Sequence, residues 1–335
     1  MSDNTACNGN LGSCKTGTCS TPIFTRYGHY VFPAGISNDG TIVIGDASGA
    51  TVALQMFRWT RPGGFAGLPG YNGATDCNVT AISGSGSYEV GYCSSGSVPV
   101  RWPGTSAPTL LGGVGGFTLN IPNCVNLDGS VASGVVIGSG QYPGLWRVGS
   151  PASYLMNLPA NTSHGTGSSV SNDGSVIVGT VDDDVTTNRH AFIWTQASGQ
   201  VKLIPYVSGD ANASGAYVSG DGTKVIGNAQ YGVYYYKTTT GTSTRLLYPG
   251  DGDAIADAIS NDGTTIGAHG PSGVWLMVNE GTPKLLASTL AGLGVDLGGF
   301  ILDSIDGMSA NGKVIIGSGS IVAGPADEGW IVVLP

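Results

Sequence analysis

The chain has 335 residues and a net charge of −9, and only 10% of its residues are charged, against roughly 25% in ordinary soluble domains. Its 13 Lys and Arg are scattered singly with no basic run. That argues against a nucleic-acid groove, which needs clustered cations to neutralise phosphates, and against an anionic membrane surface. No stretch approaches the ~18 uninterrupted apolar residues of a spanning helix, so no membrane insertion is expected.

The hydrophobic fraction of 41% is enough for a core, and the 57 glycines show no Gly-X-Y period, which excludes collagen. A Ser/Thr/Asn/Gly surface with few charges suits an exported or particle-bound protein. The first 20 residues, MSDNTACNGNLGSCKTGTCS, lack the basic end and apolar stretch of a signal peptide. A removed signal, unconventional export, or assembly inside a cell followed by release on a particle such as a virion each fit, and the initiating Met and polar tail favour the particle. Residues 1–20 read as a Cys-rich N-terminal arm with no strand pattern, ordered by disulfides, by the main domain or by a neighbouring subunit. Docking to other protein subunits through this arm is the partner expected.

From residue 21 to 335 the sequence repeats. A polar turn followed by a short apolar strand and a glycine recurs with that glycine at Gly45, Gly91, Gly134, Gly179, Gly227, Gly267 and Gly317. A Ser or Asn precedes each turn, at Ser37, Ser83, Asn126, Ser171, Ser219, Ser260 and Ser309. All six Trp follow their unit's glycine at a similar distance: Trp59, Trp102, Trp146, Trp194, Trp275 and Trp330. The fifth unit has YYY there, with Tyr236 nearest in register. These aromatics read as the large packing residue of each unit. Each unit holds four strand-like pieces, in the fourth SSVS, SVIVG, AFIWT and QVKLIP. Asn-Asp-Gly or Gly-Asp-Gly joins the first two, as a tight hairpin requires. Seven four-stranded units of about 45 residues predict an all-β, seven-bladed β-propeller in a single domain, residues 21–335. The last unit ends at its third strand, GWIVVLP. The segment from Pro22 to Tyr30, PIFTRYGHY, has no partner in its own unit. It is expected to complete the last blade and close the ring, which removes an open sheet edge.

Unit two contains Cys77 and Cys93, each eight residues from Ser85 on opposite arms of a hairpin. Facing positions on antiparallel strands bring Cβ atoms close enough for a disulfide, so a Cys77–Cys93 bridge is expected. Cys124, at the start of unit three, either meets one of the arm cysteines Cys7, Cys14 and Cys19 or stays reduced and buried. Six cysteines allow 15 connectivities, and without a CxxC pair a zinc knuckle is not indicated.

The fourth unit carries RHAFIWT, with His190, Ala191 and Phe192 followed by a glycine and a Leu-containing strand. It resembles the HAF repeat of probable extracellular repeat proteins. The resemblance extends over most of the chain through the turn, glycine and Trp positions, although only unit four has the full triplet and units two, three and seven depart from the Asn-Asp-Gly turn. It implies a bacterial or phage-associated surface protein and supplies no catalytic residues.

The turn aspartates Asp39, Asp128, Asp173, Asp221 and Asp262 each supply one carboxylate, which a turn already explains. The densest acidic groups are Asp182, Asp183 and Asp184, and Asp251, Asp253 and Asp257. Both groups read as solvated loops. Weak Ca²⁺ binding is the alternative there, and acid/base glycoside chemistry by a pair of carboxylates from different loops is a further one. No cofactor is otherwise indicated. The leading expectation is a non-enzymatic propeller on the exterior of a virion or cell, a structural or attachment protein meeting a glycan or protein partner. The alternatives are a glycan-cleaving enzyme using the acidic loops and a scaffold segment of a larger secreted adhesin.

Overall fold

The repeated turn is held by its own side chains. Ser37 Oγ accepts the Ile42 N–H at 3.1 Å and donates to Asp39 Oδ1 at 2.6 Å, and Asp39 Oδ1 accepts the Thr41 N–H at 3.0 Å. Gly40 follows at φ 73°, in the left-handed region that glycine enters without steric cost. Ser171 with Asp173, Ser219 with Asp221 and Ser260 with Asp262 repeat the arrangement. The units that depart from Asn-Asp-Gly keep the same network with other groups. Asn126 and Asp128 accept the N–H groups of Val131 and Ser130, Asn311 stands in for the aspartate beside Ser309, and Ser83 with Ser85 serves unit two. The turn aspartates are therefore structural.

The computed structural model describes residues 6–7, 12–15, 18–19, 23–47, 55–61, 63–155, 157–321 and 328–335, with only the backbone of 6–7, 12–15, 18–19, 23 and 216. From residue 23 onward it is a seven-bladed β-propeller of four-stranded antiparallel blades. The inner strands are Val31–Ile36, Asn78–Ile82, Leu119–Val125, Thr162–Val170, Ala213–Val218, Ile255–Ile259 and Phe300–Met308. A short helix, Leu286–Gly292, buries Leu286 and Leu290 against blades six and seven. Among the described residues no helix is long and apolar enough to cross a membrane.

Three interactions make these blades a ring. At the axis a backbone hydrogen bond joins each inner turn to the next. Asn38 donates to Gly84 O, Ser85 to Leu127 O, Leu127 to Asn172 O, Asn172 to Gly220 O, Gly220 to Asn261 O, Asp262 to Ala310 O, and Ala310 back to Asn38 O, all at 2.7–3.2 Å. Between blades lie seven apolar clusters, such as Val43, Phe57, Val314 and Ile331 between blades one and seven. Each fully buried side chain of this kind contributes about 1.5–3 kcal/mol. At the seam, Ile23–His29 pairs with Glu328–Val333 as the fourth strand of blade seven, so the expected closure is observed, and Pro22 lies outside the described residues. Buried Glu328 accepts Arg26 Nε at 2.6 Å and Nη2 at 2.5 Å and lies 2.8 Å from His29 Nδ1.

The repeat glycine does not end its strand as the pattern implies. Gly45, for example, lies inside Ile42–Ala47. A side chain there has no room: a Cβ on Gly45, Gly91, Gly134, Gly179, Gly227 or Gly317 would fall on a carbonyl oxygen of the inner strand. Gly267 is the exception, where the nearest atom is Ile305 Cδ1 at 2.5 Å.

The repeat aromatics occupy three registers. Trp59, Trp102, Trp146, Trp194 and Tyr236 pair with the residue two before their glycine, Trp275 pairs with Ala268 one after it, and Trp330 with Gly317 itself. Loops of different length give similar sequence spacings to different positions. Trp102, Trp146, Trp194, Trp275 and Trp330 are buried, whereas Trp59 and Tyr236 are half-buried.

The arm departs from its expected lack of strands. Ala6–Cys7, Gly12–Lys15 and Thr18–Cys19 form a three-stranded antiparallel sheet with Cys14 opposite Cys19 in the backbone register. Strands of two to four residues are too short to show the alternation by which strands are read. The side chains of Cys7, Cys14 and Cys19 lie outside the described residues.

Two outcomes follow. Gly179→Ala should destabilise the protein by about 3 kcal/mol and Gly267→Ala by about 1 kcal/mol, because only the first sets a Cβ against backbone; urea denaturation of both variants measures the difference, and equal losses would contradict this account. The hydrogen bonds from Arg26 hold the Glu328 carboxyl below its ordinary range. A carboxylate depressed on folding stabilises above its unfolded pKa, and that contribution is lost as pH falls through the folded value. Glu328→Gln should therefore lower the melting temperature at pH 7 and narrow its fall between pH 5 and 3, as thermal melts across pH would show.

Candidate functional site

Every inner strand breaks its pairing at the same point, three residues before the Ser or Asn of the turn. The skipped residues are Ala34, Thr80, Asn123, Ser168, Ala216, Asp257 and Asp306. A β-bulge leaves one residue unpaired and re-aims its side chain. Here the bulges line the axial channel, a cavity of about 220 Å³ bounded by Thr80, Asn123, Ser168, Tyr217, Asp257 and Asp306 among others. Thr80 donates to Pro122 O at 2.5 Å, Asn123 to Gly167 O at 3.4 Å and Ser168 to Gly215 O at 3.5 Å, so the polar bulges also tie neighbouring blades together.

Blades six and seven concentrate the charge. Asp257 is buried; its Oδ1 lies 2.6 Å from His269 Nδ1 and its Oδ2 accepts the Ile305 N–H at 3.2 Å. Asp306 accepts Ser318 Oγ at 2.6 Å and Ser304 Oγ at 3.2 Å. Burial, with the charge of Asp257 adding to it, pushes the Asp306 carboxyl up to about 6 against those two hydrogen bonds. The hydrogen bond to Asp257 raises the pKa of His269, and the charges of Asp306 and Asp303 act in the same direction. Burial and the charges of Asp257 and Asp306 push the Tyr217 hydroxyl up to about 12, so it remains a donor. The channel wall thus carries one carboxyl, Asp257, bonded to the His269 imidazole, and a second, Asp306, whose pKa burial raises. Among the described residues no group of three or more His, Cys, Asp or Glu side chains could hold a metal ion.

The acidic residues singled out from sequence do not form one site. Asp182 and Asp183 end a strand, Val176–Asp183, rather than lying in a loop. Asp182 lies 3.7 Å from Arg189. Asp183 accepts the N–H groups of Val185 and Thr186, and its Oδ2 lies 3.4 Å from His190, whose ring stacks on Tyr206. Asp184 accepts Ser163 Oγ. Asp251 is buried, not solvated: it accepts Trp275 Nε1 at 2.7 Å and Ser272 Oγ at 2.6 Å, and so positions the tryptophan of its blade. Asp253 is exposed. Only Asp257 reaches the channel. Its partners His269 and Asp306 escaped sequence reading, although alignment on the turn would have placed Asp306 at the position of Asp257.

Cys77 and Cys93 face each other across blade two and form a disulfide. Cys124 is a free, buried thiol that lines the channel, donates to Ser133 O at 3.4 Å and is pushed up to about 12 by burial, so it behaves as packing.

No family model matches this chain, and no curated protein matches it. Solved structures do. An oligogalacturonate lyase in complex with manganese superposes with a TM-score of 0.58 at 11% identity over 94% of this chain and 98% of that one. Hydrazine synthase of Kuenenia stuttgartiensis gives 0.51 at 15% identity over 89% and 93%. At such identities the likeness is one of fold, and propellers carry many unrelated functions.

Removing the carboxylate of Asp257 should lower the pKa of His269. An NMR titration of the imidazole in Asp257→Asn against the native chain tests this, and an unchanged midpoint would show that the pair does not couple.

Proposed function

We propose that the protein is a non-enzymatic binding propeller displayed on the exterior of a virion or cell, where it attaches to a glycan or protein partner. The bulge position carries this reading. The turn recurs in every blade and the glycine meets a carbonyl oxygen in six of the seven, whereas the bulged residues differ from blade to blade as Ala, Thr, Asn, Ser, Ala, Asp and Asp. A position that faces a cavity and escapes the repeat is free to be chosen for a ligand. Five of its seven residues carry hydrogen-bonding groups, which suits a hydroxyl-rich partner. The low charge and the Cys77–Cys93 disulfide accord with an oxidising exterior, and kinship with the HAF-repeat proteins belongs to the same proposal. The N-terminal arm, with a sheet of its own, would dock the propeller to other subunits.

A glycan-cleaving activity is the second reading, and one observation favours it: Asp257 and Asp306 line one channel, and burial raises the pKa of Asp306. It would use these residues in place of the acidic groups expected from sequence.

Incubating the full chain with a panel of bacterial surface polysaccharides and host glycans, then measuring both retention and glycan chain length, separates the two. Binding without shortening, weakened at least tenfold in Asn123→Ala and in Asp306→Asn, is the expected result. Shortening that Asp306→Asn abolishes would establish the enzyme and overturn the binding-only reading.

A further inference from the structure

We infer that a second site, on the outer side of blades two and three, binds an acidic saccharide through Arg101 and Arg147. The two guanidiniums line one cavity of about 370 Å³, and no carboxylate shares its lining among the described residues. In a chain of net charge −9 this is unusual. Arg26, Arg58, Arg189 and Arg245 each pair with a carboxylate, namely Glu328, Glu89, Asp182 and Asp210. Arg101 and Arg147 have no such partner among the described residues, and these are the two that converge.

Both are held in place by aromatic rings. The guanidinium carbon of Arg101 lies 3.9 Å from the centre of the Tyr88 ring, and that of Arg147 lies 5.9 Å from the centre of the Trp194 ring. Arg101 Nη1 also donates to Gly129 O at 2.9 Å. Trp146 Nε1 donates to Gly112 O at 3.0 Å and fixes the backbone of the opposite wall. Guanidiniums positioned in advance lose little entropy on binding, and their planar forks match the two oxygens of a carboxylate.

The remainder of the lining selects the class of ligand. Leu110 and Val148 are about half exposed beside the two cations, at 53% and 51%, and Thr109 and Ser150 add hydroxyls. A ligand with an oxyanion on one edge, hydroxyls around it and a C–H face fits this mixture. A uronic acid unit has all three, whereas inorganic phosphate has no apolar face to meet the leucine and valine. The site is separate from the channel. Its ligand narrows the glycan proposed above to an acidic one, and to that extent it rests on that reading.

The test uses the full chain labelled with ¹⁵N-arginine and titrated with D-glucuronate, D-glucose and inorganic phosphate. Glucuronate should shift the Nε–H signals of Arg101 and Arg147 and leave that of Arg189 in place. Its affinity should fall at least tenfold in Arg147→Gln and in Arg101→Gln. In Arg101→Lys, which keeps the charge without the fork, the loss should be several-fold. Asp306→Asn should not change it, so failure here and failure of the channel reading are distinguishable. Arg147 ends its strand and its side chain donates no hydrogen bond among the described residues, so its variant decides the matter if Arg101→Gln fails to fold. Glucose shifting the same signals equally, or Arg147→Gln binding as the native chain does, would overturn the inference. Phosphate binding as tightly as glucuronate would overturn its assignment to a saccharide.

Discussion

The seven blades are tied at the axis by a closed circle of backbone hydrogen bonds, one from each inner turn to the next. The circle needs all seven turns in the same conformation, and the Ser–Asp network supplies it locally in each unit. Where the sequence of the turn changes, the hydrogen-bonding capacity does not: Ser83 with Ser85, Asn126 with Asp128 and Ser309 with Asn311 do the same work as Ser171 with Asp173. Small residues are required where the circle is crowded. Asn172 and Asn261 bond to each other past Gly220 at 2.9 and 2.6 Å, and a Cβ on Gly220 would strike both.

The glycine of each unit and the bulge of its inner strand are two sides of one constraint. The bulge pushes a carbonyl toward the second strand, and in six of the seven units only a residue without a Cβ can lie beside it. The same distortion brings Ala34, Thr80, Asn123, Ser168, Asp257 and Asp306 to the channel wall. Architecture and channel chemistry are thereby separated within a few residues: the turn closes the ring, and the bulged residue is free to differ. Blades six and seven use that freedom to place Asp257 and Asp306 on the same channel wall, with His269 of the neighbouring strand bonded to Asp257.

Charge is distributed in a similar way. Three of the seven arginines of this acidic protein pair with buried carboxylates, sealing the ring at Glu328 or joining neighbouring strands and blades. Arg101 and Arg147 instead lie together on one open cavity whose described lining holds no carboxylate. Neither the acidic channel nor the cationic cleft depends on a long charged run, which is why both are compatible with so few charges.

The turn, the glycine and the period were legible in the sequence because each is set by residues within a few positions of one another. They determined the number of blades. The unpartnered segment at one end and the missing strand at the other determined how the ring closes. The Cys77–Cys93 bridge was legible for the same reason, since both cysteines belong to one hairpin. The register was not. Whether a Trp meets its glycine, the residue two before it or the residue one after depends on loop lengths and bulges, so Trp59, Trp275 and Trp330 look alike in sequence and differ in place. The acidic groups misled because adjacency along the chain is not adjacency in space: Asp182, Asp183 and Asp184 turn to separate partners, and Asp251 holds Trp275. Asp257 meets the region of Asp306 only because neighbouring blades pack side by side, and Arg101 meets Arg147 across the same kind of boundary. Contacts of that kind are made by the closing of the ring, and only the tertiary structure decides them.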